Sequence, residues 1–174
     1  SLLFQWDVSM QAILVRKKDL LKYNLNFDKN IYASAEYNLF MRLAVKTQFC
    51  SVKELIVKWR IREDSLTSQQ ISKWAYERRY TLDKIIRENS GIEKKYRQGF
   101  EEAFARSFYY DARYYMFKGQ RKNARKALKK VKNVNYKYFI LYLTTFLPSF
   151  VWNLINSDKV KRKYLLPFFN FFKN

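Results

Sequence analysis

Apolar positions in the first part of this chain follow two patterns, one typical of strands and one typical of helices. Residues 10–16 form a short continuous apolar run and residues 49–61 form a second β-like stretch, so the pattern predicts short strands at both places. Between them, residues 17–23 predict a short helix and residues 24–33 a polar loop rich in Asn and Asp. Residues 35–46 are apolar nearly all round a helical wheel, which predicts a helix inside the core.

From Thr67 onward the apolar positions recur at helical spacing. One predicted helix stops near Gly91 and a second runs toward Gly119. A third, strongly basic helix has small and aliphatic residues at i, i+3, i+4 and i+7: Ala124, Ala127, Leu128 and Val131. The pattern therefore predicts an α+β fold that is predominantly α, with residues 1–68 mixed and residues 69–174 all helical.

The composition supports a folded core and excludes several kinds of site. Hydrophobic residues make up 48% of the 174 residues and aromatic residues 19%. The three glycines are scattered, so the glycine-rich loop that cradles a nucleotide diphosphate is absent. Histidine is absent and Cys50 is the single cysteine, which excludes a zinc site or a disulfide framework within one chain. We expect Cys50 to be a small buried hydrophobic residue.

The formal net charge of +20 narrows the classes of partner. Eight of the 35 Lys and Arg residues fall between Lys118 and Lys132, and no acidic residue occurs from Ala112 to Ser157. Such a charge distribution attracts polyanions. Nucleic acid, anionic lipid headgroups and a diphosphate-bearing substrate all remain possible partners on this ground alone.

A strongly apolar stretch lies near the end of the chain. It runs from Tyr138 to Ile155 and is divided by Pro148, with basic residues before and after it. Its length is marginal for a membrane span. Three interpretations stay open: docking at the surface of an anionic membrane, packing in a helical core, and a membrane-spanning helix.

Glu36 is the sharpest catalytic candidate in the sequence. It stands in the first turn of the helix predicted over residues 35–46, where Ser34 is the expected N-cap. Its helical neighbours Leu39, Phe40 and Leu43 are apolar, so we expect Glu36 at the rim of the buried face. A partly desolvated carboxylate is a stronger proton acceptor. The alternative is a purely structural acid that interacts with the helix dipole.

The segment Trp59–Thr67 combines cations, carboxylates and hydroxyls at the end of the second β-like stretch. Arg60 and Arg62 are suited to pair with phosphate oxygens, because a guanidinium binds such oxygens in a bidentate manner. The alternative is a capped helix start, in which Ser65 or Thr67 is the N-cap. The residues themselves favour neither interpretation.

Together these two stretches resemble the acceptor-side part of family 2 glycosyltransferases with the GT-A fold. In that family a Glu-Asp-aromatic motif opens a helix of this pattern, and its Asp deprotonates the acceptor hydroxyl; Glu36 stands at that position, with Ala35 in place of the preceding acid. The segment after Trp59 matches an aromatic-Arg-hydrophobic-His-x-x-Ser-hydrophobic-Ser/Thr pattern, with Arg62 at the His position. The resemblance implies Glu36 as the catalytic base. It also implies a donor diphosphate site made of Arg60, Arg62, Ser65 and Thr67.

The same resemblance implies an acceptor side near the start of the chain. The residues concerned are Trp6, Asp7, Gln11 and Tyr37. A tryptophan beside a sugar site is typical of stacking on a pyranose ring, but a single tryptophan next to an apolar run is also typical of a core residue. Both interpretations of Trp6 stay open.

What the resemblance requires upstream is missing from this chain. The family's Asp-x-Asp, which holds a divalent Mg or Mn ion and the donor diphosphate, does not occur, and the chain starts at Ser1 without Met. We therefore expect a fragment, with no metal site of its own, that is inactive without an N-terminal half. Residues 1–68 would be the acceptor-side part of a GT-A domain and residues 69–174 a helical extension.

The expected activity is that of an inverting glycosyltransferase of bacterial surface polysaccharide synthesis. Its partners would be a nucleotide-sugar donor, a glycan or lipid-linked acceptor, and the anionic inner face of the membrane on the cytoplasmic side. The alternative is a basic helical module, without catalysis, that binds nucleic acid or another protein. No recognition-helix or aromatic-sheet motif supports nucleic acid, so we expect it less than the enzyme.

Overall fold

The computed structural model describes residues 2–6, 8–52, 54, 56–58 and 70–155. Helices account for most of this part of the chain, and no strand occurs in it. The predicted α+β class is therefore wrong, and the described fold is all-helical. The elements are a 3-10 helix Met10–Ala12 and the α-helices α1 Lys17–Lys22, α2 Ala35–Lys46, α3 Ile71–Glu88, α4 Ile92–Lys95, α5 Arg97–Phe117, α6 Arg121–Lys129, α7 Tyr136–Thr144 and α8 Ser149–Ile155.

The strand predicted over residues 10–16 is a 3-10 turn followed by extended chain. Ile13 and Val15 pack inward against a buried cluster, whereas Leu14 between them is fully exposed. The continuous apolar run predicted a buried strand, but Leu14 is exposed and Ile13 and Val15 are only half-buried, so that expectation is wrong. A strand also needs a hydrogen-bonded neighbour, and the described residues supply none.

The second predicted strand region, residues 49–61, is also corrected where it is described. Residues 49–52, 54 and 56–58 form neither strand nor helix, and residues 59–61 lie outside the described part. Val52 and Ile56 are exposed, so the apolar residues of this stretch do not form the buried face that a core strand would have. Cys50 is exposed as well, which overturns the expectation that it is buried.

The chain forms two compact units, Ser1–Ser107 and Phe108–Asn174. Helix α5 contributes its residues up to Ser107 to the first unit and its remaining residues to the second. The boundary predicted between residues 68 and 69 lies outside the described residues.

Helix α2 is the centre of the first unit. Its bounds agree with the prediction over residues 35–46, and it packs against α3. Its apolar residues divide between two buried clusters, as expected for a helix that is apolar nearly all round. Tyr37 and Met41 belong to a cluster completed by α3 and α5: Leu3, Leu82, Ile85, Phe100 and Ala103. The other cluster joins α2 to the chain that precedes it, through Leu25, Leu39, Phe40 and Leu43.

The helix ends follow the positions of the glycines. Helix α3 ends at Glu88, close to Gly91, as predicted. Helix α5 ends just before Gly119, whose φ of 72° is left-handed. The N–H of Gly119 bonds to the carbonyl of Met116 and the N–H of Gln120 bonds to that of Tyr115, which is the Schellman arrangement. These predicted helix stops are confirmed.

In the second unit α6 packs against α7. The four residues of the predicted apolar stripe are all buried: Ala124, Ala127, Leu128 and Val131. Helix α6 ends at Lys129, so Val131 lies in the turn that follows it. Pro148 separates α7 from α8, and the buried indole Nε1 of Trp152 donates a hydrogen bond to Thr144 Oγ1 at 3.0 Å. Among the described helices, none has the length and apolar content needed to cross a bilayer.

Candidate functional site

Glu36 lies in the first turn of α2 and is half-buried. Its helical neighbours Leu39, Phe40 and Leu43 are buried, so the structure places it at the rim of the apolar face, as its spacing predicts. Within the described residues, no hydrogen bond or ion pair engages its carboxylate. The carboxylate is thus partly shielded from water and still available to a ligand.

A different acid, Glu77 of α3, binds the backbone just before α2 begins. Its Oε2 accepts hydrogen bonds from the backbone N–H groups of Ser34 at 2.7 Å and Ala33 at 2.8 Å, and its Oε1 accepts one from Tyr32 at 3.0 Å. Glu77 is only 3% exposed. Ser34 occupies the N-cap position as expected, but its side chain makes no capping hydrogen bond. Glu77 therefore orders the chain that leads into α2.

A buried polar network fixes α2 against α3 next to Glu77. The amide of Asn38 donates a hydrogen bond to Thr81 Oγ1 at 3.0 Å, and Thr81 Oγ1 donates one to the carbonyl of Glu77 at 2.9 Å. Arg42 Nη1 reaches Asn38 Oδ1 at 3.5 Å and the carbonyl of Asn26 at 3.2 Å. Because Asn38 and Thr81 are fully buried, the network specifies one register between the two helices.

Asp28 ties the loop before α2 to the far end of α3. Its Oδ2 accepts a hydrogen bond from Lys84 Nζ at 2.7 Å and one from the hydroxyl of Tyr80 at 3.3 Å, and its Oδ1 accepts one from the N–H of Asn30 at 3.0 Å. The hydrogen bond from Lys84, helped by the other donors, lowers the pKa of Asp28 below its ordinary value against the opposing effect of burial.

Two of the predicted acceptor-side residues meet next to Glu36. The rings of Trp6 and Tyr37 pack edge-on with centroids 4.9 Å apart, and the guanidinium of Arg78 lies over the Tyr37 ring at 4.3 Å. Tyr37 is 3% exposed and belongs to the core, while Trp6 is half-buried and packs on both core clusters.

The remaining predicted site residues are not brought to this point by the described structure. Gln11 is exposed in the 3-10 turn, where its side-chain Oε1 accepts a hydrogen bond from Ser9 Oγ at 2.5 Å. Five predicted residues lie outside the described part of the chain: Asp7, Arg60, Arg62, Ser65 and Thr67.

A cavity of about 550 Å³ opens at the other end of α2 in the first unit. Its walls are mainly apolar, with Met41, Val45, Ile85 and Phe100 among them. Its polar lining includes Asn89 and Lys95, and none of the predicted catalytic or acceptor-side residues lines it.

The described residues do not fit the divalent metal that the resemblance implies. They contain no cluster of three or more acidic, Cys or His side chains that could hold a metal ion. The two most constrained acids are already engaged, Glu77 by backbone N–H groups and Asp28 by Lys84.

Glu77 is the residue that the sequence candidates missed. Its signal was present, because Glu77 stands four residues before buried Thr81 and eight before buried Ile85, on the apolar face of α3. An acid at such a position is buried, and a buried carboxylate requires donors.

Comparison with known proteins gives no family assignment: the chain matches no family model, no curated protein and no solved structure.

Proposed function

We propose that this chain is the acceptor-side part of an inverting glycosyltransferase, with Glu36 as the catalytic base. One observation carries the proposal. The carboxylate of Glu36 is half-buried at the start of α2 with no hydrogen-bond or ion-pair partner among the described residues, while Glu77 holds the chain before that helix. Glu77 already binds the N–H groups of residues 32–34, so the order of the chain before α2 does not depend on Glu36.

The proposed step is a single displacement. The acceptor hydroxyl attacks the anomeric carbon of the donor sugar, and its proton passes to the Glu36 carboxylate. The bond between the anomeric carbon and the diphosphate oxygen breaks, and the nucleoside diphosphate leaves with the electron pair. Attack from the face opposite the leaving group inverts the anomeric configuration.

Rigid support for the base favours this role. Helix α2 is held in one register by the Asn38–Thr81 hydrogen bond, and its first turn rests on the Trp6–Tyr37 pair. A base built on a packed helix keeps a narrower range of positions than one on a loop. The exposed part of Trp6 is suited to stack on a sugar ring, and Asp7 and Gln11 complete the proposed acceptor side.

The donor side of the proposal depends on the sequence pattern. Arg60 and Arg62 would offset the charge on the departing diphosphate, and Ser65 and Thr67 would donate hydrogen bonds to it. The Mg or Mn ion expected by resemblance would be held by residues outside this chain.

We further propose a setting for the intact enzyme. It would take a nucleotide-sugar donor and a glycan or lipid-linked acceptor in bacterial surface polysaccharide synthesis, at the cytoplasmic face of the membrane. The acid-free, basic stretch from Ala112 to Ser157 supports a location at an anionic surface.

Replacing Glu36 in the intact protein tests the proposal. Release of nucleoside diphosphate from a panel of uridine, guanosine and thymidine diphosphate sugars would be measured with membrane lipid extract as acceptor. We expect Glu36→Gln to lower transfer by about 10²–10⁴-fold while donor binding, followed by calorimetry, is unchanged. Glu36→Asp should retain part of the activity, because a carboxylate remains.

Glu93→Gln is the matched control, since Glu93 is an exposed glutamate in the first turn of another helix, α4. It should transfer at the normal rate. Equal transfer by Glu36→Gln and Glu93→Gln would overturn the assignment of the base.

A further inference from the structure

Helices α7 and α8 and the turn between them carry eight large exposed apolar side chains, which we term the apolar ridge. On α7 these residues recur at i, i+3, i+4 and i+7 from Tyr136, so they share one face. Further exposed apolar side chains lie in the turn before Pro148 and on α8. The members of the ridge, each at least 37% exposed, are Tyr136, Phe139, Ile140, Leu143, Phe146, Leu147, Phe150 and Leu154.

The opposite side of the same two helices is already packed. Tyr138, Thr145 and Trp152 are at most 1% exposed, and α6 lies against α7. The core of the second unit is therefore formed by the face that carries Tyr138, Thr145 and Trp152, not by the ridge. The ridge is a surplus apolar surface, larger than the scattered exposed residues that are normal on a protein surface.

Cations border the ridge directly. The guanidinium of Arg125 on α6 lies 3.7 Å from the centroid of the Phe146 ring. The ammonium of Lys132 lies 5.4 Å from the ring of Tyr142, which itself packs edge-on against Phe146 at 5.8 Å. Helix α6 adds four exposed cations, and an exposed Lys130 follows it directly; the four on the helix are Arg121, Lys122, Lys126 and Lys129. No acidic residue occurs between Ala112 and the end of α8, so nothing within this stretch neutralises them.

We propose that the apolar ridge docks on an anionic lipid bilayer. The ridge would enter the boundary between headgroups and acyl chains, and the α6 cations would lie over the anionic headgroups. With 9 and 7 residues, α7 and α8 are too short to cross the bilayer and would lie along its surface. This inference rests on the membrane location in the proposed function and assigns it to a particular surface.

Charge and shape favour lipid over the other possible occupants. A second copy of this unit would bring its cations against those of the first. Nucleic acid would match the cations, but it offers no apolar surface for Ile140, Leu143 or Leu154. An anionic bilayer provides both negative charge and an apolar interior.

Vesicle binding of the intact protein tests the apolar part of the proposal. Sedimentation with vesicles of phosphatidylglycerol and phosphatidylcholine should capture the protein, and vesicles of phosphatidylcholine alone should capture far less. We expect Phe150→Ser with Leu154→Ser to weaken binding by about tenfold or more. The control is Leu14→Ser with Leu21→Ser, which removes equally exposed apolar side chains from the first unit and should not weaken binding.

Charge reversal tests the electrostatic part. Lys126→Glu with Lys129→Glu should weaken binding by at least about thirtyfold, since each cation near the surface contributes about a fivefold effect. Lys17→Glu with Lys18→Glu makes the same change in net charge on exposed residues of the first unit and should have a much smaller effect. Equal losses from both pairs would contradict docking by α6.

A fluorescent label locates the contact. In a Cys50→Ser background, a polarity-sensitive dye at Phe150→Cys should shift to the blue with anionic vesicles, and one at Leu14→Cys should not. A blue-shifted signal at position 150 before vesicles are added would show that protein covers the ridge and would overturn the proposal. Tight DNA binding that competes with vesicles and survives Phe150→Ser would overturn it as well. These readouts do not involve sugar transfer, so docking and catalysis can fail separately.

Discussion

The carboxylate of Glu77 accepts a hydrogen bond from the backbone N–H of Ser34 at 2.7 Å, immediately before α2 begins. Two more N–H groups, from Tyr32 and Ala33, converge on the same carboxylate. The start of α2 is thus fixed by a side chain from a neighbouring helix. Glu77 therefore has a structural role at this helix start. Glu36 has no such partner among the described residues, so its carboxylate is available for another role.

Replacing Glu77 should destabilise the first unit. In Glu77→Gln a neutral amide would face three backbone donors, so charge-assisted hydrogen bonds are lost and an N–H group is turned toward other N–H groups. We expect a loss of about 1–3 kcal/mol in the free energy of unfolding, measured by urea denaturation. Glu88→Gln, an exposed change at the end of the same helix, should leave the stability nearly unchanged. Equal midpoints for the two variants would contradict the role given to Glu77.

The Asp28–Lys84 pair should make stability depend on pH in the acid range. Folding lowers the pKa of Asp28 below its ordinary value of 3.8, so the ionised carboxylate stabilises the folded state above that pH. The contribution is lost as the pH falls through the lowered pKa of the folded state. Wild type should therefore exceed Asp28→Asn in stability by about 1–2 kcal/mol at neutral pH.

Urea denaturation at a series of decreasing pH values checks the sign of this effect. The difference between wild type and Asp28→Asn should be constant at neutral pH and should shrink below 3.8. Asp83→Asn removes an exposed aspartate of α3, the helix that carries Lys84, and serves as the control. A difference that stays the same through the acid range would refute the pairing.

Gly99 in α5 should resist replacement by alanine. A Cβ at this position would lie 2.9 Å from Cδ1 of Leu3, closer than real contacts, and 3.0 Å from Cβ of Leu3, which is unusually tight, so Leu3 would have to move. Gly99→Ala should therefore cost about 1 kcal/mol or more, although alanine is better than glycine by about that amount in an open helix interior.

A double-mutant cycle isolates the cause. In a Leu3→Ala background the side chain that obstructs the new Cβ is shortened, so Gly99→Ala should become neutral or stabilising. If Gly99→Ala destabilises both backgrounds equally, the close approach of Leu3 is not the reason.

Local signals predicted the helices well. Helix α2 has its apolar period and its N-cap position within one short stretch, and the predicted bounds agree with the observed Ala35–Lys46. The stripe of α6 and the helix end before Gly119 likewise depend only on neighbours in sequence.

Features that depend on distant partners were not predictable in this way. The apolar run at Ile13, Leu14 and Val15 is suited to a strand, but a strand exists only where another strand pairs with it, and the described residues provide none. The position of Glu77 on the apolar face of α3 could be read from the sequence, but its hydrogen-bond partners, 43 to 45 residues away, could not.

The transfer rate per folded molecule in Glu36→Gln, compared with Glu77→Gln, tests the central claim most directly. Both changes replace a carboxylate by an amide close to the start of α2, so they differ mainly in the role given to each residue. We expect Glu36→Gln to lose about 10²–10⁴-fold in rate at unchanged unfolding free energy, and Glu77→Gln to lose stability while its folded fraction still transfers sugar. A normal rate in Glu36→Gln, or a loss no larger than its unfolded fraction explains, would contradict the account.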